Sequence, residues 1–149
     1  MLVKRADFSD SHDIWNWRND HITRLNSLNQ EFVSLENHES WFRSALSNEL
    51  IYLYVGQIDA DKIGMCRFNL DSNKTHFEVS INLNPEFRGK GLSKELLSGC
   101  MSSLFSSTTL PKHLIATIRE SNLPSIKLFE SLNFKLIENI DGVTKYRYQ

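Results

Sequence analysis

Proline and glycine are scarce in this chain, three and six among 149 residues, so the few turns that carry them stand out. Cysteine is scarcer still. Cys66 and Cys100 lack the close spacing of a metal or redox motif. The N-terminal run MLVKRADFSD turns polar after three residues, unlike a secretory signal, so the thiols are expected to be buried and unpaired and the chain cytoplasmic. No run approaches the roughly 18 consecutive apolar residues of a membrane-spanning helix. An excess of charge of either sign is also missing. Seventeen Lys and Arg stand against 18 Asp and Glu, a formal net charge of −1, which removes bulk attraction to nucleic acid or an anionic membrane. Repeats, low-complexity tracts and linkers are absent, so a single domain over residues 1–149 is expected.

What is present is a succession of strand and helix patterns. LVKRADF reads as a strand, and Ser9, Asp10 and Ser11 offer caps for a helix through Ile14, Trp17 and Arg18. Ser34 can cap a second helix, in which Leu35, His38, Trp41, Phe42, Ala45 and Leu46 recur at helical spacing. LIYLYVGQI, IGMCRFNL and THFEVSINL follow as strands joined by polar turns. In the third of them Phe77, Val79, Ile81 and Leu83 alternate with polar residues. Leu92, Leu96, Leu97, Met101 and Leu104 mark an amphipathic helix, HLIATI a short strand, and Ser125 to Leu132 a helix with Pro124 near its start. FKLIENI and VTKYRY flank an Asp141-Gly142 turn and predict a hairpin. The expected order is β-α-α-β-β-β-α-β-α-β-β, an α/β (α+β) chain. Crossovers through the last two helices should make part of the sheet parallel.

The segment Asn84-Pro85-Glu86-Phe87-Arg88-Gly89-Lys90-Gly91-Leu92-Ser93 joins a strand to a helix. Two glycines allow backbone conformations barred to residues with a Cβ and a close approach to a ligand. The helix start leaves N–H groups free and carries partial positive charge, and Arg88 and Lys90 add formal charge beside it. Chemically this is a cradle for a diphosphate. A P-loop pattern is absent, and a dinucleotide fingerprint needs a third glycine where Lys94 stands.

Arg88-Gly89-Lys90-Gly91-Leu92-Ser93 resembles the Arg/Gln-x-x-Gly-x-Gly/Ala motif of the GNAT superfamily of N-acetyltransferases. The run from Asn122 to Phe134 resembles a second GNAT element, Asn-x-x-Ala/Ser-x-x-Leu-Tyr-x-x-x-Gly-Phe, and the matching element order covers nearly the whole chain. The resemblance implies a GNAT fold, a mixed central sheet of about seven strands flanked by about four helices. It also implies acetyl transfer from acetyl-coenzyme A to an amine, without a metal. Three positions depart from the pattern. Ser93 replaces a Gly or Ala, Asn133 replaces a glycine but tolerates left-handed backbone, and Phe129 stands where many members carry a tyrosine as general acid.

By that resemblance, backbone groups of Ile81 and Leu83 bind the pantetheine arm and polarise the thioester carbonyl. The turn Arg88, Gly89, Lys90, Gly91, Leu92, Ser93 holds the diphosphate, and Asn122, Ser125 and Phe129 of the second element complete the cofactor site. An attacking amine must be unprotonated, so a base is useful near neutral pH. Glu78, on the polar face of the strand and ten residues before Arg88, is the candidate, with His76 on the same face as second choice. With Phe129 lacking a hydroxyl, Tyr146, Tyr148 or Ser125 are the candidate proton donors. Cys66 and Cys100 show no paired base in the sequence and are not expected to carry an acyl group.

Trp15-Asn16-Trp17-Arg18-Asn19 and the run from Ser34 to Phe42 resemble a GNAT branch containing ribosomal-protein N-terminal acetyltransferases and enzymes acting on nucleotide-linked amino sugars. Trp17, Arg18, Asn19 and His38 are therefore the candidate acceptor residues, with Arg18 placed to meet a phosphate. A nucleotide-linked amino sugar is the first expectation. A protein N-terminus and a polyamine are alternatives, and a catalytically silent acyl-coenzyme A-binding module is the reading of another class. Many relatives are dimers, which leaves a homodimer open.

Overall fold

A computed structural model describes residues 1–149. Seven strands, β1 (Leu2–Arg5), β2 (Ile51–Ile58), β3 (Asp61–Leu70), β4 (Phe77–Leu83), β5 (Leu114–Arg119), β6 (Lys135–Ile140) and β7 (Val143–Tyr148), make one sheet ordered β1-β2-β3-β4-β5-β7-β6. Every neighbouring pair is antiparallel except β4 and β5, which run parallel. The helices are α1 (Ser11–Asn19), α2 (His21–Asn26), α3 (Leu35–Ser47), α4 (Leu92–Ser107) and α5 (Leu123–Ser131).

Both faces of the sheet are covered, which is why the central strands read as nearly continuous apolar runs. On one face Cys66, Phe68, Phe77, Val79, Leu114 and Ala116 pack under α4 (Leu96, Leu97, Cys100, Met101, Leu104) and under Phe129 of α5. On the other, Leu53, Val55 and Met65 meet Ile14 and Trp17 of α1 and Phe42 and Ala45 of α3. The strand alternation sorts odd and even residues between the two cores. Both cysteines are free and buried in the first core. Burial, with Cys100 alongside, pushes the Cys66 thiol well above its ordinary range, which keeps it a thiol rather than a nucleophile.

The structure adds one short helix to the four read from the sequence. The fifth, α2, falls in the stretch between the two N-terminal helices. Its sequence HITRLN has little apolar period, but the Asp20 carboxylate accepts from the N–H groups of Ile22 and Thr23, each at 3.1 Å, and starts a single-turn helix there. Asn133 adopts φ 69°, the left-handed conformation expected where asparagine replaces glycine at the end of α5.

Candidate active site

The site begins with a fault in the sheet. β3 and β4 pair over seven residue pairs and β5 and β7 over six, but β4 and β5 pair only at Phe77↔Leu114 and Glu78↔Ile115. Beyond Glu78 the two strands diverge and leave a wedge. The Phe77 N–H donates to the His113 carbonyl on the β5 side at 2.9 Å, and the Asn84 N–H donates to Ile63 on the β3 side at 2.8 Å. By alternation the backbone groups of Val79, Ile81 and Leu83 therefore face the wedge. Strand amides without a ladder partner need another one. A cleft of about 760 Å³ fills this region, walled by Val79 to Leu83 on one side and Ala116 to Ile118 on the other.

At the wide end of the wedge lies the α4 N-terminus. Its N-cap, Gly91, has φ 71° and supplies no side-chain cap, so the first-turn N–H groups stay free and the helix dipole is unscreened. Gly89 also has positive φ, 73°, and a Cβ at either glycine would meet no protein atom within 4 Å. The glycines are thus required by backbone conformation and not by packing, and the space in front of them is open. Arg88, Gly89 and Ser93 line the cleft, and Lys90, Gly91 and Leu92 complete the turn beside it. Lys90 lies over the Phe87 ring, 5.2 Å from its centroid. The Arg88 guanidinium is ion-paired with Asp20 and donates to Thr23 Oγ1 at 2.9 Å, tying the turn to the start of α2. Asn122 caps α5, accepting from the Ser125 N–H at 3.4 Å, and both residues line the cleft with Phe129. The Phe129 ring is buried edge-on to Phe134, with 4.9 Å between centroids.

A polar group faces the wedge from the side opposite α4. The Thr117 hydroxyl donates to Glu78 Oε1 at 2.6 Å, so Glu78 stands just behind a cleft residue with one carboxylate oxygen fixed and the other without a partner. Arg67 of β3, paired in register with Ser80, donates to the Ser80 hydroxyl at 3.4 Å. Trp41 and Arg18 also line the cleft. The sequence does not single out Arg67, and it places Trp41 with Phe42 in an aromatic face more suited to core packing. A lone arginine in an apolar strand gives no signal beyond its place on the alternate face, and Trp41 shares the helical spacing of core residues.

Other candidates lie elsewhere. His76 precedes β4 and hydrogen-bonds to Thr75 in the Asp71 turn, away from the cleft lining. Tyr146 is buried in the core under α5, where burial raises its hydroxyl pKa and nearby Glu130 adds to the effect. Tyr148 stacks on Phe105 at 5.9 Å between centroids. Trp17 is buried between α1 and α3, and Asn19 binds the backbone of Val33 through both ends of its amide, fixing the loop before α3. His38 is fully buried, stacked on Phe42, and its Nε2 donates to the Ser11 carbonyl at 2.9 Å. Trp17, Asn19 and His38 pack the elements around the cleft without lining it.

Burial, reinforced by the charge of Arg18, holds the His38 pKa below its ordinary 6.5. The unfolded chain then takes up the proton first, so stability is complete above about pH 6.5 and falls as pH drops from there through the lower folded value. Thermal unfolding midpoints should therefore decline between pH 7 and 5, and the decline should be shallower in His38→Leu. An equal slope in the two proteins would remove His38 as the cause.

The family model of the acetyltransferase (GNAT) domain matches residues 2–135. An N-acetyltransferase 9-like protein of Dictyostelium discoideum is 29% identical over 85% of this chain and 70% of its own length. Among solved structures, a Vibrio cholerae spermidine N-acetyltransferase in complex with CoA and spermine superposes with a TM-score of 0.86 at 16% identity, over 99% of this chain and 94% of that one. A ribosomal-protein-alanine N-acetyltransferase of Brucella melitensis gives 0.82 at 20% identity, over 99% of each chain.

Proposed function

Because the chain belongs to the GNAT acetyltransferase family and is an acetyl-coenzyme A-dependent N-acetyltransferase, we propose that its wedge and its uncapped helix start hold the acetyl donor while the opposite face presents an amine. The carrying observation is the two-residue pairing of β4 with β5, which opens unpaired strand amides directly beside the free N–H groups of α4. Those groups fit the donor: hydrogen-bond donors along an extended arm, then a dipole end and glycine turn for a diphosphate. Bound acetyl-coenzyme A supplies an acetyl group activated as a thioester.

The Ile81 and Leu83 backbone aligns the pantetheine arm and polarises the carbonyl, with donors set in place before reaction. Gly89 to Ser93 hold the diphosphate, and Asn122 and Ser125 border the arm at the α5 start. Glu78 removes the proton from the incoming amine through its unengaged oxygen, while Thr117 fixes the other. Phe129 offers no proton. A thiolate whose thiol has a pKa of about 8.5 departs without a strong acid. Neither His76 nor Tyr146 is assigned a step.

We favour a nucleotide-linked amino sugar as acceptor. Arg18 and Arg67 line the cleft without a salt bridge, and Glu31 is the one carboxylate in its lining, which disfavours a polycation such as spermine. Thiol release from acetyl-coenzyme A, corrected for hydrolysis, should be fastest with amino-sugar nucleotides, slower with peptides and absent with spermidine. Fastest release with spermidine would overturn this choice. Tight donor binding with no turnover on any amine would favour the silent-module reading, to which Phe129 lends support.

A further inference from the structure

Arg18 reaches the cleft from α1 and Arg67 from β3, and their guanidinium carbons lie 5.5 and 5.3 Å from the centroid of the same Trp41 ring. Neither arginine is within salt-bridge distance of a carboxylate, whereas Arg88 pairs with Asp20 and Arg119 donates to the Ser27 and Leu28 carbonyls. The Arg67 Nε is buried with no hydrogen-bond partner, and its one polar side-chain contact is the 3.4 Å bond to Ser80. Burial lowers the pKa of both arginines. Arg18 adds to that at Arg67, while the Glu78 carboxylate, beyond salt-bridge distance, works against it. Two like charges, poorly solvated and without a salt bridge, destabilise a fold. Guanidinium forks match phosphate oxygens in pairs, and the Trp41 ring on which both lie holds the two groups together.

We propose that Arg18 and Arg67, held together on the Trp41 ring, form the acceptor's anion subsite, which grips a phosphate of the molecule bearing the amine and so directs that amine towards Glu78 and the wedge. This rests on the cleft being the acceptor side of an acetyltransferase. The charges the fold leaves without a salt bridge are then matched by substrate, so removing one should harm binding and not stability.

UDP and inorganic pyrophosphate serve as probes, titrated into protein already saturated with coenzyme A so that the donor's own diphosphate site is filled. Wild type should bind UDP. Arg67→Met and Arg18→Gln should each weaken UDP binding at least tenfold, leave coenzyme A affinity unchanged, and keep or raise the thermal midpoint. Arg67→Lys should recover part of the loss. The subsite is refuted if the coenzyme A-loaded wild type ignores both probes, or if Arg67→Met lowers the midpoint while UDP binding persists. Preference for an acidic peptide over UDP through the same residues would overturn the phosphate assignment. If coenzyme A itself fails to bind, the donor site is at fault instead, and that failure shows in the first titration.

Discussion

Gly91→Val should weaken acetyl-coenzyme A binding about 100-fold, equivalent to about 2.7 kcal/mol, with the fold retained. Gly91 sits at φ 71° as the cap of α4. A β-branched residue there is strained by about 1–2 kcal/mol, and its side chain would project into the open space before the turn. Valine could relieve the strain only by moving the turn, which would re-aim the free amides of the first helical turn. Gly142 makes a matched control. It has φ 80° in the hairpin between β6 and β7, so Gly142→Val carries similar strain but should leave donor affinity unchanged. Calorimetric titration of both variants checks this. Equal affinity in wild type and Gly91→Val, or equal losses in the two variants, would disconnect the turn from the donor.

Glu78→Gln should lower kcat/KM by about 100-fold, within the range ascribed to a positioned general base. A base must accept a proton, and the glutamine amide cannot. The amide still accepts from Thr117, so a purely structural role for the 2.6 Å bond would be largely preserved by the substitution. An unchanged rate would reduce Glu78 to a structural partner of Thr117.

The glycine turn and the helix start after it were legible because their features are local in sequence. The glycine pair, the helix start and the alternation that sends Ile81 and Leu83 towards one neighbour all lie within thirteen residues, 81–93. The wedge itself was not. It depends on how far β4 and β5 stay together, and 30 residues separate Leu83 from Leu114, so nothing in either strand records where pairing stops. The α1 and α3 side of the cleft was legible only in part. His38 and Trp41 occupy one stripe of α3, three residues apart, and periodicity cannot show that the first is sealed inside while the second borders the cleft. Arg67 needed the third dimension, since Arg18 meets it over Trp41 from another element and neither forms a salt bridge. Tyr146 went astray for a simpler reason: the alternation of β7 turns Thr144 and Tyr146 inwards to α5.

Amide hydrogen exchange, followed residue by residue with and without acetyl-coenzyme A, probes the wedge most directly. Exchange at Ile81, Leu83 and the amides of residues 89–93 should slow on addition of the donor, while the hairpin of β6 and β7 stays unchanged. Protection confined to other segments, with β4 and the α4 start exchanging as fast as before, would show that the donor lies elsewhere.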